Sequence, residues 1–187
     1  MIGNGPLNGF RVAGLKIADI RLSADNVRNI LGIGDAPQDM NIGLLLDQLS
    51  VNYGITYDAL EPEEMPYKDV EACWDPDTVT MHIRLDVFEK ACGNDPRARF
   101  TVMHELGHGL LGHRRTINRS GNDRKPEIYE DSEWQANQFA AEILMPLDVM
   151  RRERLNTASK VENYFNVSSP AAAKRIKQLS QRAELPC

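Results

Sequence analysis

His104-Glu105-Leu106-Gly107-His108 sets two imidazoles four residues apart with a carboxylate between them. On an α-helix, positions i and i+4 share one face, about 6 Å apart along the axis. Rings from successive turns then reach one zinc ion at tetrahedral angles. Glu105 is turned about 100° from His104, beside such an ion and not on it. There a carboxylate takes the proton of a metal-bound water. Zinc lowers the pKa of that water toward about 7, so a nucleophile exists at neutral pH. The chemistry expected is hydrolysis, with His104 and His108 as ligands of one Zn2+ and Glu105 as general base. A surface helix with two unrelated histidines is the plainer alternative. Phe100-Thr101-Val102-Met103 before the motif and Leu110-Leu111 after it argue for a buried helix, where imidazoles need partners.

The third ligand decides the class of site. A ligand further along the same helix would need glycine at position 111 and histidine at position 114; the chain has Leu111 and Arg114. His113 is one residue, hence about 100°, out of line, and is read as a helix-end histidine meeting free carbonyls. A carboxylate from a second helix is the other solution. Glu127, Glu130, Asp131, Glu133 and Glu142 are candidates, and Glu133 is the best placed. Asn137, one turn on from it, offers a polar partner to a ligand histidine. Ala140 and Ala141 on the same helix permit close approach to its neighbour. Besides the metal, a donor must stabilise the transition state. Tyr53, Tyr57, Tyr129, His82 and the arginines of the loop that begins at Arg114 qualify, and nothing in the sequence selects among them; His82 reads as a sheet-face residue.

Helical spacing of apolar residues predicts helices over 17–31, closed by Gly32 and Gly34, over 39–53, closed by Gly54, over 100–112, and over 130–145, closed by Pro146. Residues 55–60 and 78–85 read as strands; the second would take up a substrate by β-augmentation if it lay at an edge. Residues 58–77, acidic and broken by prolines, read as a solvated loop. No EF-hand spacing occurs there. Residues 114–125 read as a basic loop. The tail is expected to form two short helices broken near residues 166–169.

The 187 residues suit one domain with a small appendage, and 42% hydrophobic with 26% charged residues is an ordinary globular balance. No apolar run approaches the roughly 18 residues of a membrane span, and the first ten residues lack the pattern of a signal peptide. Cys73, Cys92 and Cys187 form no CxxC and are odd in number, which fits a reducing cytoplasm. The net charge of -5 conceals an asymmetry: residues 1–150 carry 14 basic and 24 acidic side chains, residues 151–187 carry 8 and 3. The basic tail is thus a separate electrostatic object. Ser169-Pro170 reads as a cap followed by the first helical position. Ile176 and Leu179 then face inward, leaving Lys174, Arg175 and Lys177 outside. A helix-turn-helix is one reading. Its leading residues Ser169, Pro170, Ala171, Ala172 and Ala173 offer almost no donors to bases, so packing or a protein partner is favoured over DNA.

Two segments resemble the ImmA/IrrE family of metallo-endopeptidases: Arg99 through His108, and Glu133 through Pro146, with its ExxAN, FAAE and closing MP. A weaker likeness runs through Tyr164-Phe165-Asn166-Val167-Ser168 and Lys174-Arg175-Ile176. The resemblance implies His104, His108 and Glu133 as zinc ligands and Glu105 as general base. It also implies a protein substrate, a helix-turn-helix repressor whose cleavage releases genes. The fold expected is α+β: a mostly helical zincin-like core over 41–146 with a small antiparallel sheet, preceded by a helical segment over 1–40 and followed by a helix-turn-helix-like tail over 147–187. The competing function is a regulator that binds DNA or protein, with zinc only holding the fold.

Overall fold

In the computed structural model, described over residues 7, 9–35, 37–114 and 126–185, helices dominate and a three-stranded sheet is the only one. α1 (Ile17–Ile30) buries Ile20 and Ala24. It closes where Gly32 takes φ +62°, a conformation open to glycine at no steric cost. A 3₁₀ turn (Pro37–Asp39) precedes α2 (Ile42–Tyr53). The Asn41 side chain accepts the Leu44 N–H at 3.0 Å, which moves the helix start three residues past the expected Asp39.

β1 (Thr56–Leu60), β2 (Ala72–Asp75) and β3 (Thr80–Arg84) pair in the order β1-β3-β2. β2 and β3 are antiparallel, with Cys73 opposite His82. β1 and β3 are parallel, with Asp58 opposite His82, so the sheet is mixed and not wholly antiparallel. β2 lies inside the stretch expected to be a solvated loop. Its four residues are too few to show an alternation, and the prolines around it read as turns.

α3 (Leu85–Cys92) follows directly, a helix too short for its period to stand out. α4 (Pro96–Leu110) carries the HExxH segment. Asp95 caps it, accepting the N–H groups of Arg97 and Ala98 at 3.0 and 2.9 Å, and Pro96 occupies the first turn, where its missing N–H costs nothing. After a 3₁₀ turn (Ile128–Glu130) comes α5 (Ser132–Leu144), capped by Asp131, whose Oδ1 accepts the Glu133 N–H at 3.0 Å. The tail holds three helices where two were expected: α6 (Leu147–Arg152), α7 (Ala158–Phe165) and α8 (Ser169–Gln181). The break falls at Asn166, at φ +49°, and Ser168, one residue before the expected cap, accepts the Ala171 N–H.

One apolar cluster runs from Ile20 of α1 through Leu46 of α2, Ile83 of β3, Leu106 of α4 and Phe139 of α5 to Leu179 of α8. At its centre α4 crosses α5 at a pair of small residues. A Cβ built on Gly107 would lie 3.1 Å from Ala136 Cα. Gly109 does the same for the sheet, the indole of Trp74 on β2 lying 2.8 Å from the place of its absent Cβ. The small positions of α4 therefore let both α5 and β2 close in.

Arg175 of α8, expected outside, is buried. Its guanidinium grips Glu142 of α5 with two bonds of 2.9 and 2.6 Å and also donates to the Met145 carbonyl. Arg21 of α1 reaches the same carboxylate at 3.1 Å. A buried carboxylate needs such cations, and here they fasten α1 and α8 to α5.

Candidate metal centre

His104 and His108 project from successive turns of α4 toward the first turn of α5. Their Nε2 atoms are 3.2 Å apart. Glu133 meets both: Oε2 lies 3.1 Å from His104 Nε2, and Oε1 3.3 Å from His108 Nε2. These three residues form the described cluster able to hold a metal ion. The distances fit one: a tetrahedral ion with bonds of about 2.0 Å has ligand atoms about 3.3 Å apart. Two imidazole nitrogens and one carboxylate also match the donor set of three-ligand zinc sites that keep a position open.

The other carboxylate candidates are engaged elsewhere. Glu127 and Glu130 cap the 3₁₀ turn together, and Glu130 also pairs with Arg11 at 3.0 Å. Asp131 caps α5. Glu142 pairs with Arg175 and Arg21.

Electrostatics knit the three residues together. Close contact with the His104 and His108 rings holds the Glu133 carboxyl far below the ordinary glutamate range. Burial disfavours a charge on His104, but Glu133 and Glu105 outweigh it and raise its pKa. Glu105 is raised by burial, opposed by the two histidines, and the backbone N–H of Trp74 bonds its carboxylate. Raising a carboxyl toward neutrality suits a base that must first take a proton and then give it up.

Asn137 donates Nδ2–H to the Glu133 carbonyl at 2.7 Å, and its side chain bonds His104.

His113 departs from expectation. It caps no run of free carbonyls with its ring. Gly112, at φ +68°, turns the chain back, and the His113 N–H closes on the His108 carbonyl at 2.9 Å. The ring then lies beneath His108, its Nδ1 3.0 Å from His108 Nδ1 and its Nε2 2.8 Å from Gln135 Oε1. A continued helix would have pointed it elsewhere; the left-handed residue after α4 reverses that direction. Burial pushes its pKa down to about 4, so the ring is neutral. The histidine-glycine ending was the only signal in the sequence, and Gln135 gave none.

The centre opens on a cleft of 1020 Å³ bounded by Glu105, Glu133, His113, Trp74 and Tyr67. β3 is the central strand, so the expected edge-strand role passes to β2, which lies at the sheet edge and lines the cleft through Cys73, Trp74 and Asp75. Of the candidate transition-state donors, His82 and Arg114 also line it. Tyr57 is turned away, its hydroxyl donating to Asp47 at 2.9 Å, and Tyr53 and Tyr129 are exposed. The remainder of the expected basic loop, 115–125, lies outside the described residues.

An N-terminal strap borders the site. Gly9 donates to Asp131 Oδ1 at 3.1 Å, Phe10 exchanges bonds with Ser132, and Val12 donates to the Glu130 carbonyl at 2.9 Å. The Phe10 ring stands edge-on to His113 with centroids 6.5 Å apart. These residues carried no signal in the sequence, because strand-like pairing with one turn of a distant segment has no period.

No curated protein matches the chain. Seven solved chains resemble it in fold. One is a Mycobacterium tuberculosis transcriptional regulator, 14% identical with a TM-score of 0.48 over 84% of this chain and 46% of that one. The present chain thus spans less than half the length of that protein. The model of the M78 peptidase family, the IrrE N-terminal-like domain, matches residues 65–177, which include His104, His108, Glu133, Glu105, His113 and Gln135. With more than half its length matched, the chain belongs to the M78 peptidase family of IrrE N-terminal-like domains.

Proposed function

We propose that this chain is a single-zinc endopeptidase whose substrate is a helix-turn-helix transcriptional repressor. The observation that carries the reading is the convergence of His104 Nε2, His108 Nε2 and the Glu133 carboxylate beside a half-buried Glu105 at the floor of an open cleft. His104, His108 and Glu133 would hold the ion. Zinc in such a site acts as a Lewis acid toward the peptide carbonyl and acidifies water. Glu105 takes the proton of the attacking water and returns it to the leaving amine. The Trp74 N–H orients that carboxylate. The free edge of β2 receives the substrate backbone in extended form, which aligns a scissile bond over Glu105. Among the described residues three donors converge, not four, which favours a catalytic over a purely structural ion.

The repressor as substrate rests on the family likeness. The tail supports a protein partner better than DNA: burial of Arg175 against Glu142 removes one of the three cations α8 was expected to present. Free thiols at Cys73 and Cys92 support a reducing, cytoplasmic setting. Among the described residues no helix is long and apolar enough to cross a membrane.

The test is Glu105→Gln, co-expressed with a helix-turn-helix repressor that the wild-type chain cleaves and followed by mass spectrometry of fragments. The variant should keep zinc and lose cleavage by at least a hundredfold. Cleavage at the wild-type rate would remove the mechanism.

A further inference from the structure

We propose that His113 and Gln135 form a hydrogen-bond relay that sets the tautomer of His108 and holds its Nε2 lone pair toward the metal position. The inference takes its functional meaning from the metal centre above, but the tautomers it assigns do not depend on a bound ion.

The chain of logic starts at two backbone carbonyls. Gln135 Nε2 lies 2.8 Å from the Ala13 carbonyl and 2.7 Å from that of Tyr129. Carbonyls only accept, so this end of the amide is the NH2 group and both its hydrogens are used. Gln135 Oε1 therefore faces His113 as an acceptor. His113 Nε2, 2.8 Å away, must carry the proton. A neutral imidazole has one N–H, so His113 Nδ1 is a lone pair. His108 Nδ1, 3.0 Å from it, must then be the donor. That leaves the lone pair of His108 on Nε2, the nitrogen facing His104 and Glu133. Every atom of the relay has one admissible role.

On the His104 side the Asn137 side chain bonds the ring directly. Gln135 and Asn137 sit two residues apart on α5, each amide donating to a backbone carbonyl. His113 spans the extra distance on the His108 side. All members of the relay are buried: His113, His108 and Gln135 are 3%, 7% and 1% exposed. Ending on carbonyls and not on a carboxylate, the relay orients the ligand while adding no charge.

Selective 15N labelling of histidine in the full chain, metal-free at pH 8, reads the tautomers directly. His113 is expected as the Nε2–H form. Finding it as Nδ1–H overturns the relay, whether or not the chain binds metal. Zinc affinity by chelator competition supplies the second measurement. His113→Leu should weaken zinc binding 10- to 100-fold. His113→Asn, which can offer Oδ1 to His108 Nδ1–H, should recover most of that loss. Equal losses in the two variants would mean that His113 merely fills space, and would overturn the relay. A wild-type chain that takes up no zinc while His113 is Nε2–H would sink the peptidase reading and leave the relay standing.

Discussion

Gly107 and Ala136 are the point where the helices that carry His104, His108 and Glu133 touch. The Ala136 carbonyl lies 3.2 Å, and its Cα 3.1 Å, from the site of a Gly107 Cβ. Gly107 is the second variable residue of HExxH, and its want of a side chain is what brings Glu133 within reach of both histidines.

Gly107→Ala should therefore separate function from folding. The methyl group overpacks a helix crossing, at a cost of about 1–3 kcal/mol, offset by about 1 kcal/mol of helix propensity. Thermal unfolding without metal should change by only a few degrees. The stabilisation that added zinc confers should shrink markedly, because α5 carries Glu133 outward. Undiminished stabilisation by zinc would show that the helix spacing does not govern the third ligand.

The strap makes a parallel prediction. A Cβ on Gly9 would collide with Ser132 Oγ and lie 2.7 Å from Glu133 Cγ. Gly9→Val should lift the strap, and with it the Ala13 carbonyl that anchors Gln135. Amide exchange over residues 9–15 should quicken and zinc affinity should fall. Unchanged exchange would mean that the strap tolerates the added bulk.

Acidity should act in opposite directions on the metal-free and zinc-loaded chains. Without metal, Glu133 pairs with the two histidines. Its pKa lies below the ordinary 4.5, so its contribution is present above that value and is lost as pH falls through the folded pKa. That of His104 lies above 6.5. Its contribution is full below 6.5 and is lost as pH rises through the folded pKa. Metal-free stability from this pair should thus be greatest between about pH 4.5 and 6.5. Zinc needs the same lone pairs deprotonated, so its affinity should climb as pH rises through and beyond that range. Melting curves with and without zinc from pH 5 to 8 test this; parallel profiles would contradict it.

Arg175→Leu should cost about 3–5 kcal/mol by urea unfolding, because it strips the Glu142 carboxylate, 1% exposed, of its bidentate partner. The double change with Glu142→Leu should recover much of that loss, since an apolar pair carries no desolvation penalty. Equal losses in the single and double variants would mean that Arg175 acts through packing and the Met145 carbonyl alone.

Local spacing made much of this protein legible from its residues alone. The i, i+4 histidines had to share a face once α4 formed. The ExxAN segment had to carry Glu133 and Asn137 on one stripe of α5. Gly32, Gly54 and Asn166 marked chain reversals because left-handed backbone is cheap for few residue types. What remained depended on elements far apart in sequence. β2 became the cleft-lining edge only when β3 took the central place between two strands, a pairing order no local period encodes. Arg175 reads as a surface cation until α8 lies against α5 and Glu142 appears beside it. His113 reads as a helix end until Gly112 folds it under His108 and Gln135 arrives from 22 residues away. Periodicity reports which face of an element is apolar; it cannot report which distant polar group will be waiting there. Those meetings follow from the packing of α1, α4, α5 and α8 around one core, where each buried charge or ring must find its partner in three dimensions.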